Sequence, residues 1–93
     1  RVSPGVYLLY DSRTGSAEYV GRSDTDLNAR LKNWVNQGYQ YFRFTYCRSP
    51  EAAFYKECRL YHHFIEHKDI DNVRHPRRPD YTDWSCPDCY IFD

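Results

Sequence analysis

Two short apolar segments, Gly5-Val6-Tyr7 and Tyr19-Val20-Gly21, each set a tyrosine near a glycine. Asp11-Ser12-Arg13-Thr14-Gly15-Ser16 lies between them, a cluster of turn formers that includes a glycine able to take positive φ. Strand, turn residues and strand in this order read as an antiparallel hairpin. The apolar residues and the turn suit any hairpin, but the glycines do not. Glycine weakens a strand, and it often marks a place where another backbone or a ligand comes close. The hairpin therefore reads as part of a site.

A chain of 93 residues supplies one domain, near the lower end of what a single core supports unaided. Thirteen basic residues balance thirteen acidic ones, which counts against broad non-specific binding to nucleic acid and leaves room for a local cationic cleft. No apolar run approaches the length of a membrane span, and no signal-peptide pattern precedes the first strand. The expectation is a cytoplasmic protein with no membrane partner.

Beyond the hairpin, Ser23-Asp24-Thr25-Asp26 is rich in residues that cap a helix N-terminus. Leu27, Leu31, Trp34 and Val35 follow at helical spacing, and Gly38 supplies a stop, so the pattern predicts an amphipathic helix of about three turns. Arg30 borders its apolar stripe. Phe42, Phe44 and Tyr46 then alternate with Tyr41, Arg43 and Thr45, which predicts a strand with one buried face. Ser49-Pro50 opens a second helix, with serine as cap and proline at the first helical position. Ala53, Phe54, Leu60, Tyr61, Phe64 and Ile65 share one wide apolar face of that helix. Glu57 falls in the middle of the face, where a carboxylate is costly unless paired, hydrogen-bonded or bound to metal. From about His67 to Ser85 the chain is polar and proline-bearing, a long structureless stretch that calls for an anchor. The predicted fold is a small α/β sandwich in which helices cover a three-stranded antiparallel or mixed sheet.

Gly5-Val6-Tyr7, Tyr19-Val20-Gly21-Arg22-Ser23, Arg30-Leu31 and Glu57 together resemble the signature of the GIY-YIG nucleases. The resemblance spans residues 5–66 as the core, and leaves 67–93 as an extension outside it. It implies the family's three-stranded sheet with flanking helices, and an endonuclease that hydrolyses DNA phosphodiester bonds. Phosphodiester hydrolysis needs an activated water, charge stabilisation on the phosphate and help for the leaving oxygen. By the same resemblance Glu57 holds one divalent cation, Mg²⁺ or Mn²⁺, and Arg30 binds a phosphate oxygen. Tyr7 or Tyr19 takes the proton of the attacking water, with Arg22 as the cationic neighbour that a phenol of pKa about 10 requires. Trp34 stands where many members carry a tyrosine or histidine; Tyr39 and Tyr41 are possible substitutes. The plain alternatives are strand aromatics packed on a sheet for the tyrosines, a solvated helix charge for Arg30, and an edge-of-face position for Glu57.

Cys86-Pro87-Asp88-Cys89 has zinc-knuckle spacing, and Cys58 and His62 stand four apart on the second helix, hence on one face. The four form a candidate Cys₃His structural Zn²⁺ site tying the tail to that helix, with His75 the main competitor for the histidine place and His63 and His67 weaker ones. Free buried cysteines and a disulfide are the alternatives; without signs of secretion, zinc is preferred. Cys47 reads as a core residue. Arg74-His75-Pro76-Arg77-Arg78-Pro79 is the concentrated basic stretch, suited to a DNA backbone or to a solvated loop. The leading expectation is a metal-dependent DNA endonuclease. The competing one is a zinc-stabilised, catalytically inactive module of the same fold that binds nucleic acid or protein.

Overall fold

Strand β1 (Gly5–Tyr10) runs between β2 (Tyr19–Ser23) and β3 (Tyr41–Tyr46) in an antiparallel sheet of order β2-β1-β3. This small α/β fold is seen in a computed structural model that describes residues 2–12, 15–67, 70–72 and 74–92. Arg13 and Thr14 of the expected hairpin turn lie outside the described residues; Ser12 Oγ accepts from Gly15 N at 3.1 Å across that turn.

The two-residue period of β1 sorts its side chains between two layers. Val6 packs with Cys47 and Ala53, on the side covered by α2 (Pro50–His67). Tyr7 and Leu9 pack with Leu27, on the side covered by α1 (Leu27–Lys32). The register sets Tyr7 opposite Gly21 on one flank and opposite Phe44 on the other. At Gly21 an added Cβ would run into the ring of Tyr7, which lies flat over that position. At Gly5 it would run into the Thr45 carbonyl and the Leu27 side chain. Both strand glycines thus mark close approaches, as their cost in a strand suggests.

Helix α2 starts as its cap residues require: Ser49 Oγ accepts from Ala52 N and the Ser49 carbonyl from Ala53 N, both at 3.1 Å, with Pro50 at the first position. Ala53 and Phe54 are fully buried beneath it.

Two expectations are corrected. Helix α1 has only six residues in place of about three turns. Asp26 caps its start, accepting from Ala29 N at 3.2 Å. Beyond Lys32 the backbone tightens into i→i+3 turns, and Asn36 (φ 65°) and Gly38 (φ 102°) take left-handed conformations. Trp34 is drawn inward to Tyr7, and Val35 is left 63% exposed. Strand β3 forms as expected, but the face bearing Phe42 and Phe44 is not buried: they are 55% and 45% exposed. The shortened α1 does not extend far enough to cover this edge strand.

The C-terminal segment closes the other edge of the sheet. The side-chain amide of Asn72 takes the place of a further strand on β2, its Oδ1 accepting from Val20 N at 2.9 Å and its Nδ2 donating to Val20 O at 2.7 Å. Asp71 N donates to Glu18 O beside it. Cys86, Trp84 and Phe92 pack against Phe54 and Cys58 of α2. Among the described residues, no helix is long and apolar enough to cross a membrane.

Candidate active site and metal group

The alternation of β2 separates two of its functional side chains. Tyr19 shares the α1 side with Tyr7, and their rings stack with centroids 6.5 Å apart. Arg22 lies on the α2 side, where its Nη1 reaches Glu57 Oε1 at 3.2 Å. The two sets meet at the end of the sheet where the Tyr7 ring crosses Gly21. Tyr7, Tyr19, Arg22, Arg30 and Glu57, drawn from β1, β2, α1 and α2, line one polar cavity of about 190 Å³. All five candidate catalytic residues of the sequence are thus brought together. Arg77, from the basic stretch of the tail, lines it too, as does Asp24, which the sequence offered only among helix-capping residues.

Glu57 is 8% exposed, in the apolar face of α2 as its position predicts. Burial pushes its carboxyl up to about 7, with Asp24 adding to the effect and Arg22 and Arg30 opposing it. Arg22 is held from three directions. Its Nε meets Asp24 Oδ1 at 2.8 Å, its Nη1 meets Glu57, and its Nη2 donates to the Arg77 carbonyl at 2.6 Å. Its guanidinium also lies 5.3 Å from the centroid of the Phe54 ring. A planar fork with five donors suits this fixed, many-sided contact in a way that a lysine would not.

The tyrosines are neutral phenols. Tyr7 is 1% exposed, and burial pushes its hydroxyl up to about 12, against a hydrogen bond from Trp34 and the charge of Arg30, which pull it down. Trp34 Nε1 donates to Tyr7 Oη at 2.7 Å. The position that departs from the nuclease signature is therefore tied directly to the first signature tyrosine. Burial also raises Tyr19, with Glu57 adding and Arg30 opposing. Tyr39, one candidate substitute for Trp34, packs edge-on against it but donates its hydroxyl to Asp71 at 2.7 Å. Tyr41, the other, is exposed at the start of β3, away from the cavity.

A second group lies where the tail returns to α2. One ligand atom from each of His62, His75, Cys86 and Cys89 lies within 4.8 Å of every other. His62 Nε2 and His75 Nε2 are 3.2 Å apart, and Cys89 Sγ is 3.3 Å from His75 Nε2. The edges of a zinc tetrahedron run from about 3.3 Å between nitrogens to about 3.8 Å between sulfurs, so the group has the dimensions of a metal cage. His75 Nδ1 lies 2.9 Å from the Pro76 carbonyl, an acceptor that holds the proton there and turns the Nε2 lone pair into the cage.

This set differs from the expected Cys₃His arrangement. His75 joins His62 instead of competing with it, and Cys58 stands outside the four. Cys58 is fully buried against Phe54 and Cys86; burial pushes its thiol far up, and its hydrogen bond with Cys86 adds to the shift. A thiol so held keeps its proton and supports Cys86 from behind. His63 is exposed and outside the group, and the side chain of His67 lies outside the described residues. Cys47 is a core residue, as expected. That both histidines join has a reason: Pro76 is buried and the Arg77 carbonyl is pinned by Arg22, tertiary contacts absent from any local pattern that hold the segment of His75 near α2.

No family model matches the chain, and neither a curated protein nor a solved structure is significantly similar to it.

Proposed function

We propose that the protein is a metal-dependent endonuclease of the GIY-YIG type that hydrolyses phosphodiester bonds in DNA. One observation carries this reading: Tyr7, Tyr19, Arg22, Arg30 and Glu57, read as catalytic from four separate segments of the sequence, line one small polar cavity. Packing alone gives no reason for a carboxylate, two arginines and two phenols to converge where the carboxylate is too buried to ionise easily.

The cavity fits a hard divalent cation. Glu57 offers one carboxylate and Asp24 lies nearby, in a space with room for the waters that Mg²⁺ or Mn²⁺ retains. When bound, the cation supplies positive charge against the phosphate and Lewis acidity toward its oxygens. The remaining work falls to the side chains. Arg30 neutralises a phosphate oxygen from the exposed side, and Arg22, locked by Asp24 and the Arg77 carbonyl, fixes the Glu57 carboxylate. Tyr7, whose oxygen already accepts from Trp34, directs its own proton toward phosphate. Tyr19 borders the attacking water. Burial outweighs the pull of Arg30 at both phenols, so Tyr19 acts as a neutral relay that takes the water's proton as it passes its own to a phosphate oxygen. A water oxygen–phosphorus bond forms, the phosphorus–oxygen bond to the leaving strand breaks, and the proton relayed from the water ends on the leaving oxygen.

The other metal, in this proposal, is a structural Zn²⁺ held by His62, His75, Cys86 and Cys89. It adds to the contacts of Asn72 with β2, of the Arg77 carbonyl with Arg22 and of Phe92 with α2 in holding the tail to a small domain. The decisive experiment is Mg²⁺- or Mn²⁺-dependent nicking of plasmid and branched DNA by the wild type and by Glu57→Ala. Cutting by the wild type alone supports the assignment. Equal cutting by both removes Glu57 from the mechanism, and DNA binding without cutting by either leaves the inactive binding module.

A further inference from the structure

The tail that carries His75 also carries three arginines, and its fold places two of them, Arg74 and Arg77, along the cleft. Residues 74–78 are held at three points: His75 in the metal group, Pro76 buried, and the Arg77 carbonyl on Arg22. Arg74 and Arg77 line a cavity of about 330 Å³ whose wall includes Tyr19 and Glu57. Arg77, Tyr19 and Glu57 also line the cavity that holds Arg30. The two spaces adjoin along these shared residues, with Arg30 toward one end and Arg74 toward the other.

The acids nearby are engaged. Asp24 holds Arg22 at 2.8 Å, and Asp71 accepts from Tyr39 at 2.7 Å. Arg77 itself pairs with Asp80 at 3.2 Å, but both side chains are largely exposed, and such a pair is weak and easily exchanged for another anion. Arg78 is different: it donates to the Trp84 carbonyl and covers the Phe92 ring, so it serves the tail's own packing.

We infer that Arg74 and Arg77 are phosphate-binding residues that hold the DNA backbone beside the cut bond, with the strand running along the groove from Arg30 past Glu57 to Arg74. This deepens the nuclease reading and rests on it for the identity of the polyanion. A neutral chain gains its cationic surface here by folding a basic segment of its extension over the site, and the metal group keeps that segment in place.

The test measures binding of a short fluorescein-labelled DNA duplex by anisotropy, without added divalent cation so that nothing is cut, over a series of salt concentrations. Each phosphate contact contributes about 0.9 to the slope of log affinity against log salt. Arg74→Gln and Arg77→Gln should each reduce the slope by about that amount, and the double variant by about twice as much. Arg59→Gln, an exposed change on the far side of α2 from Glu57, should leave it unchanged. Asp80→Asn should tighten binding, by up to about fivefold, because it releases Arg77. The inference is overturned if the wild type does not bind, if the double variant keeps the wild-type slope, or if Arg59→Gln lowers it as much. Should the slopes fall as expected while no DNA is ever nicked, the nuclease reading fails and the contact stands. Nicking with unaltered slopes has the opposite meaning.

Discussion

Replacing Glu57 by glutamine should make the protein more stable, and only at neutral to alkaline pH. Burial is the main cause that raises the carboxyl from 4.5 to about 7, so the folded state holds the proton more tightly than the unfolded chain. A carboxyl shifted this way contributes stability that is fully present below pH 4.5 and lost as pH rises through 7. Each pH unit of displacement is worth about 1.36 kcal/mol, so the loss in the wild type amounts to about 3 kcal/mol at pH 8 and under about 1 kcal/mol at pH 5. Glutamine has nearly the same shape and no charge to bury. Arg22 keeps Asp24 at Nε and the Arg77 carbonyl at Nη2, and its Nη1, which faces Glu57 in the wild type, meets the amide oxygen of the glutamine. The other titratable and charged groups around position 57 are Arg30, Tyr7, Tyr19 and Asp24 on one side and Arg74, Arg77, Asp71 and His75 on the other, and they are common to both proteins. Urea unfolding of wild type and Glu57→Gln at pH 5 and pH 8, without added divalent cation, gives the difference at each pH, and any group that titrates equally in both cancels. A variant more stable by about 3 kcal/mol at pH 8, equivalent to roughly 10 °C or more in Tm, with the gap mostly closed at pH 5, is the expected result. An equal gap at both pH values, or a wild type more stable at pH 8, would refute the idea that burial destabilises this carboxylate.

The metal group predicts about one zinc per chain by elemental analysis and a lower Tm after chelation; substoichiometric metal with a Cys86–Cys89 disulfide would sink it. Trp34→Phe keeps an aromatic ring and removes the donor to Tyr7, so it should cost about 1 kcal/mol in urea unfolding and raise the Tyr7 phenol further in a spectrophotometric titration. Asn72→Ala removes both hydrogen bonds to Val20. It should cost about 1–3 kcal/mol and speed amide exchange at Val20, while unchanged exchange there would show that the tail does not guard this edge.

What the sequence made legible was local. Period-two alternation, the strand glycines and the capped start of α2 lie within a few residues of what they describe, and the sheet and the burial of Glu57 follow from them. Two patterns promised more than they delivered. Alternation in β3 says which side chains share a face, but not whether another element covers it, and Phe42 and Phe44 stay exposed because α1 stops at Lys32. The 3.6-residue period of residues 27–35 breaks because Trp34 finds a hydrogen bond to Tyr7 that no helical pattern encodes. The metal group was half legible: Cys86, Cys89 and His62 have local spacing to reveal them, whereas His75 arrives through a loop whose path depends on Arg22 and on burial of Pro76.

The crossing of Tyr7 over Gly21 has a consequence for descent as well as for chemistry. With the aromatic ring in place, even a methyl group at position 21 meets it, so the glycine is free to change only in a lineage that has already shed the ring. Once a larger residue occupies position 21, the tyrosine in turn cannot return to its place without a reversion. The two positions form an epistatic pair, and loss of the glycine acts as a ratchet against recovery of the ring.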